Sequence, residues 1–505
     1  MMKAKPMQKV KTFLEKTPNA LLCVLGAVVF LAGFYFLTSR TPLNKIWLPT
    51  TMNNDEVLYN RQVVSVITHG GPQGYFGYQE GTADIGRYGT WGPLLIWAYA
   101  LPGFLFGSSV NVVLWCNLLF ITLGIAAFAR SAKLNWWQCI VLCAGLFAIA
   151  MPIRSCISGA SEAMHYMLAF LIVGSAAALH RTDKPGWLAV CAAACAVETI
   201  FRPYALLFWM FPLTAVWQNK RRRNVCFVTA AAGFGVSLFA MAKLAAPYFS
   251  DGGMDFDGVR LLLQGHPIAA IRYEWIRATA LLGNAWLYDI WPTIKGGKTY
   301  IGGGCVTFLV VVLAAVGCLL WDRRKGRPVV LKACALFCSA AIALVLLTMY
   351  NIDPRHMMLL AILLLGAIVV EDAAPAVVWL PILVVLLLPM NFERGSQPEM
   401  NEVMAAQMTV VEDALAADVQ TAGADPWDNT LAYTYDDGVF HGYLYAVPDG
   451  MGIEFDKNSY LWDAENPIYS RYVMCGHGTR VEERLLAENW QELVSTEDLV
   501  VYKRS

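Results

Sequence analysis

The chain has 505 residues and a formal net charge of zero, with 57% hydrophobic and only 15% charged residues. That apolar surplus leaves too little polar surface to cover a soluble globule, and it excludes disordered, collagen-like and disulfide-framework classes. The zero balance conceals an asymmetry: residues 391–505 hold 21 acidic and 7 basic side chains, so the preceding part is as basic as the tail is acidic.

Lys3, Lys5, Lys9, Lys11 and Lys16 precede a first apolar run, 21–37, with no small-residue cleavage signature after it, so it reads as a retained signal anchor. Further runs of spanning character are 110–129, 136–151, 163–179, 187–200, 203–217, 225–242, 305–321, 333–350, 357–370 and 374–390. With eleven spans and a cytoplasmic N-terminus, the basic loops Arg130/Lys133, Arg181/Lys184, Lys220 to Arg223 and Arg323/Arg324/Lys325/Arg327 all fall inside. The apolar stretch 93–107 is then an interfacial or re-entrant helix, since a crossing there would invert every later loop. Residues 40–109 and 246–304 form outer loops, and the acidic tail also lies outside.

The expected fold is therefore a polytopic α-helical membrane domain, 1–390, with juxtamembrane helices in its first outer loop, followed by a small extracytoplasmic α/β domain, 391–505. The tail opens with a helical pattern, 403–419. Strand-like runs follow at 431–435, 442–447 and 471–474, then an amphipathic helix, 481–488, and a last strand, 499–503. Twelve of the thirteen cysteines lie in or beside apolar segments. Pairs such as Cys139/Cys143 read as small packing residues on helix faces rather than metal or disulfide partners. A chain split between membrane and exterior in this way offers the bilayer as a partner and gives no reason to expect nucleic acid.

Ionisable groups gather at the outer edge, in four places. Asp55-Glu56, with Tyr59 one turn on, follows the first span; Asn54 as cap and acids at a helix start would explain the same residues. Ser161-Glu162 enters the fourth span, again sound helix-start grammar. Arg202-Pro203 opens the sixth, with Glu198 placed for an i,i+4 pair. Asp353-Pro354 begins the tenth, and a tight loop there needs neither Arg355 nor His356, which together suit a phosphate. The acidic Asp251, Asp255 and Asp257 resemble a calcium loop only loosely. The aromatic stretch 267–288 reads as interfacial anchoring or as a lid over an acceptor groove. Gly302-Gly303-Gly304 lacks the following Lys-Ser or Lys-Thr of a phosphate loop.

These motifs together resemble the GT-C superfamily of integral-membrane glycosyltransferases, notably its protein O-mannosyltransferase and aminoarabinose transferase branch. Asp55-Glu56 matches the acidic motif of that family's first outer loop, Trp91-Gly92-Pro93-Leu94-Leu95 its Pro-containing apolar stretch, and Glu162 the acid of its second outer loop. Arg202-Pro203 and Arg355-His356 are similar as well. The resemblance implies inverting transfer of a sugar from a polyprenyl-phosphate donor to a glycan, lipid or protein acceptor of the cell envelope. It makes Asp55 the general base, Glu56 or Glu162 its assistant, and Arg202, Arg355 and His356 the partners of the donor phosphate. The family's first-loop arginine is either Arg61 or Arg87. A divalent metal is the one cofactor the resemblance admits. A polysaccharide polymerase or ligase, a lipid-linked-glycan transporter and a non-catalytic scaffold are the competing classes. The first would use one large late outer loop, and the second mid-span charges in repeated halves.

Overall fold

The computed structural model describes residues 18–50, 54–81, 83, 86–89, 92–147, 150–245, 255–295, 303–371, 399–419, 425–434, 438–456 and 459–504. The N-terminal lysines, Asn53, Trp91, Asp251, Gly302 and the run 374–390 lie outside them, as does the Asn54 side chain.

In chain order the membrane part comprises α1 (Asn19–Ser39), α2 (Asn54–His69), β1 (Tyr75–Tyr78), α3 (Pro93–Gly103), α4 (Val112–Ala132), α5 (Trp136–Phe147), α6 (Ala150–Cys156), α7 (Glu162–Thr182) and α8 (Pro185–Phe201). A 3-10 turn, Pro203–Trp209, leads into α9 (Met210–Val216) and α10 (Lys220–Lys243). Then come α11 (Asp257–Leu263), α12 (Pro267–Ala285), α13 (Trp291–Lys295), α14 (Gly304–Arg324), α15 (Val330–Met349) and α16 (Pro354–Val370). Five helices, α4, α7, α10, α14 and α15, are long and apolar enough to cross a membrane, and shorter apolar helices occupy the other described runs. The chain is a multi-pass membrane protein. At ~1.5 Å per residue, the 11 residues of α3 fall well short of a ~30 Å hydrocarbon core, so this segment does not cross as one helix.

The basic loops share one end of the bundle. Arg181 donates to the Ser131 and Ala132 carbonyls at 2.7 and 3.4 Å, Arg222 meets Asp183 at 2.6 Å, and Gln138 reaches the Val369 carbonyl at 2.9 Å. Asn19, at the start of α1, bonds the Leu134 carbonyl, which puts the head of α1 at the same end. All thirteen cysteines are free and buried, and Cys143 Sγ packs 3.3 Å from the Cys23 carbonyl across the α1–α5 contact.

The tail contains α17 (Glu402–Asp418), β2 (Thr430–Thr434), β3 (Gly452–Asp456), β4 (Tyr472–Cys475), α18 (Arg480–Ala487), β5 (Gln491–Ser495) and β6 (Val500–Lys503). The sheet runs β1-β3-β2-β4-β6-β5, with β1, β3, β2 and β4 parallel and β6 and β5 antiparallel. The expected strand over 442–447 is instead a 3-10 turn, His441–Ala446. Its buried Gly442, Tyr443 and Leu444 do not alternate, and a Cβ on Gly442 would stand 2.0 Å from the Pro49 carbonyl oxygen. The edge strand β1 comes from the first outer loop, pairing Tyr75 with Gly452 through Tyr78 with Phe455. Glu80 fastens it: its carboxylate accepts from Tyr469 N, Ser470 N and Ser470 Oγ at 2.6, 2.7 and 2.7 Å. The membrane part and the tail therefore share one sheet.

Candidate active site

Segments remote in sequence deliver charged side chains to the end of the bundle opposite the basic loops. Asp55 and Glu56 open α2, Glu162 opens α7, Arg202 follows α8, and Arg355 lies in the first turn of α16. Arg355 is the hub. Its Nη1 donates to Asp55 Oδ2 at 2.9 Å and lies 4.0 Å from Glu162 Oε1, while Nη2 is 3.2 Å from Asp353 Oδ2. Asp353 also caps α16, accepting from Arg355 N at 2.8 Å, so one carboxylate both starts the helix and aims the guanidinium. Burial would raise the Asp353 carboxyl, but the Arg355 charge and hydrogen bonds hold it well below the usual carboxylate range.

Arg202 forms the second layer, with Nη2 3.4 Å from Glu162 Oε1 and Nη1 donating to Tyr204 OH at 3.0 Å. The expected pair with Glu198 does not form as an ion pair. The chain leaves its helical path at Arg202 (φ −138°, ψ 103°), which turns the side chain away, and Glu198 instead holds His165 Nδ1 at 2.9 Å from both oxygens. The expected Ser161 cap is also missing. That residue has helical rather than extended angles (φ −91°, ψ −1°), and its hydroxyl makes no capping bond. His356 is buried, stacked on Tyr350 at 5.4 Å and 5.6 Å from the Tyr204 ring. Glu162 Oε2, Arg202 Nε and His356 Nδ1 are buried with no hydrogen-bond partner among the described residues. A polar ligand at the hub would supply what they lack.

Asp55 and Glu56 do different work. Asp55 is about a third exposed and faces Arg355, whereas Glu56 is buried and engaged by Arg154 of α6. Burial lifts the Glu56 carboxyl to about 7, with Arg154 pulling against it. The sequence reading missed Arg154 because it stands in an apolar stretch without a motif. Burial and the Asp55 and Glu162 charges raise the Tyr59 phenol, which places it beside the same cluster. Burial and the Asp55 charge raise the Tyr78 phenol, and the Arg355 charge pulls against them.

Both first-loop arginines bond backbone carbonyls. Arg61 lies roughly 240° around α2 from Asp55 at ~100° per residue, and it donates to the Leu444 and Pro448 carbonyls at 3.1 and 3.0 Å. Arg87 donates to the Lys243 carbonyl at 2.7 Å. In the large outer loop Asp257 pairs with Arg260 at 3.0 Å, and Asp255 with Arg277 and, at 2.5 Å, with Tyr273 OH. Asp255 N bonds the Met349 carbonyl at 2.9 Å and Arg277 the Tyr350 carbonyl, which ties this loop to the turn before Asp353.

Among the described residues no three His, Cys, Asp or Glu side chains gather as a metal would need. The Arg355 guanidinium stands between Asp55 and Asp353.

No family model and no curated protein matches the sequence. Among solved structures, ArnT from Cupriavidus metallidurans bound to undecaprenyl phosphate is similar with a TM-score of 0.50 at 13% identity, over 95% of this chain and 97% of that one. The apo structure of the same protein gives a TM-score of 0.41 at the same identity and coverage. The chain thus has an ArnT-like fold, in line with the GT-C likeness expected from its motifs.

Proposed function

We propose that the chain is an inverting glycosyltransferase that moves a sugar from a polyprenyl-phosphate donor to an acceptor hydroxyl on the outer face of the membrane. The observation that carries this reading is the hub: one guanidinium shared by Asp55 and Asp353 and approached by Glu162, with Arg202 behind. A fold similar to that of a protein crystallised with undecaprenyl phosphate supports the donor class.

The chemistry needs two things of this end of the bundle. An acceptor hydroxyl needs a carboxylate within hydrogen-bond reach, and Asp55, the most exposed of the hub acids, is that base. The leaving group is a phosphate whose negative charge grows as the bond breaks, and fixed guanidinium groups stabilise that growth. In the reading proposed here the donor phosphate takes over Arg355 from Asp55. Asp55, thus released, accepts the acceptor's proton as its oxygen bonds the anomeric carbon. The carbon–phosphate oxygen bond breaks on the opposite face, and its electron pair departs on polyprenyl phosphate. Arg202 and His356 receive the phosphate from the buried side, and Glu162 keeps Arg202 in place. Asp353 holds Arg355 throughout, and Glu56 steadies α2 through Arg154.

Incubating the purified protein with a panel of polyprenyl-phosphate sugars and a hydroxyl acceptor tests the reading. Turnover, with free polyprenyl phosphate released in step with glycosylated product, is expected for at least one donor. Absence of both turnover and thermal stabilisation across the panel would remove it. The orientation is tested by tags: one at Asn219 is expected in the cytoplasm and one at Thr430 outside.

A further inference from the structure

The end of the bundle remote from the hub carries four successive cations, Lys220 to Arg223, at the head of α10. They are not equivalent. Arg222 meets Asp183 at 2.6 Å, and Arg223 lies 5.2 Å from the Trp217 ring and donates to its carbonyl at 3.3 Å. Lys220 and Arg221 are exposed and make no hydrogen bond or ion pair with the described residues. The protein's own architecture therefore accounts for two of the four charges.

The other two lie on an open face of α10 together with Asn224, Val225, Val228 and Thr229. Arg221, Asn224, Val225 and Val228 recur at the spacing of one helix face, so that face runs from cation through amide to aliphatic side chains. Val225 and Val228 are 54% and 69% exposed, on a helix only 28% covered by the rest of the protein, against 44–83% for the other four long spans. The helix's own N–H groups are not the attraction, since Asn219 already accepts from Arg222 N at 3.1 Å.

We infer that this face of α10 is a binding site for an anionic phospholipid of the leaflet at the basic end, separate from any donor at the hub. Lys220 and Arg221 would take the headgroup phosphate, Asn224 its polar neck, and Val225 and Val228 the first part of an acyl chain. Charge complementarity and the apolar continuation together select a lipid over a free phosphate, which would leave both valines bare. A like surface on a second copy of the chain would bring four unpaired cations together and repel.

Each cation near an anionic headgroup is worth roughly fivefold in binding, so the pair is worth about 25-fold. Native mass spectrometry of the full-length protein, titrated with phosphatidylglycerol against phosphatidylcholine, reads this directly. The wild type is expected to retain phosphatidylglycerol preferentially, and K220A/R221A to lose most of that preference while unfolding at the same temperature. V228N is a second variant with both charges intact, and it is expected to weaken the lipid but not to move binding of glycerol phosphate. Equal retention of the two lipids by the wild type, or undiminished preference in K220A/R221A, would overturn the inference. So would full competition by soluble glycerol phosphate, which would mark a free-anion site. All these residues lie at the end away from the hub, so failure here leaves the proposed transfer untouched.

Discussion

Among the described residues, Lys332 and Arg355 are each held between carboxylates, and the two places differ in their exposure. At the basic end Lys332 lies 3.0 Å from Asp322 and 2.9 Å from Glu371. Glu371 also accepts from Leu331 N and Lys332 N, tying down the start of α15. Lys332 and Asp322 are wholly buried, and no solute reaches them. At the hub Arg355 and Asp55 keep 21% and 32% of their side chains exposed. A closed network fixes helices, whereas an open one of the same chemistry can exchange a carboxylate for a substrate anion.

Mutations sharpen this contrast. Asp55→Asn is expected to lower transfer by roughly 10²–10⁴-fold with the thermal unfolding curve unchanged, because it removes a base and not a strut. Near-normal turnover by the folded variant would show that the hub and the closed network are the same kind of thing. Lys332→Met should do the reverse. Leaving two buried acids without their cation costs about 3–5 kcal/mol in thermal or denaturant unfolding, while turnover per folded molecule stays put.

Glu56 adds a pH test. Its folded carboxyl titrates at about 7 against 4.5 for the unfolded chain, so its proton is bound more tightly in the native state. The corresponding stability is complete below about 4.5 and is lost as pH rises to about 7, an effect on the order of 3 kcal/mol. Glu56→Gln is expected to flatten that part of the stability profile; an unchanged slope would put the titrating group elsewhere. The smallest effect is Arg355→Lys, where a point charge replaces a fork that spans Asp55 and Asp353. A fall of roughly 30-fold, about 2 kcal/mol, is expected mainly in kcat.

The helices and the hub were legible in the sequence for different reasons. Apolar runs between basic loops announce a bundle, and Asp55, Glu162, Arg202 and Arg355 could be picked out because charges at a bilayer edge are costly to hold. Arg154 and the His165–Glu198 pair were not legible, since their partners come from other helices and no local spacing connects them. Glu198 illustrates the limit: helical periodicity offered it Arg202, but the local break at Arg202 sends that side chain elsewhere. β1 was invisible for a similar reason. Tyr75–Tyr78 is a four-residue strand whose partner is set by tertiary structure and not by an adjacent hairpin.

The sheet shared by the first outer loop and the tail has a consequence for biogenesis. Arg61 and the Leu444 carbonyl that it grips are 383 residues apart, so the ribosome must pass all the intervening spans before α2 can be seated. Until then Asp55 has no fixed bearing on Arg355, and a nascent or truncated chain would sit in the bilayer without a formed hub. Maturation would thus be timed by arrival of the segment around Leu444 and Pro448, which acts as a checkpoint on activity.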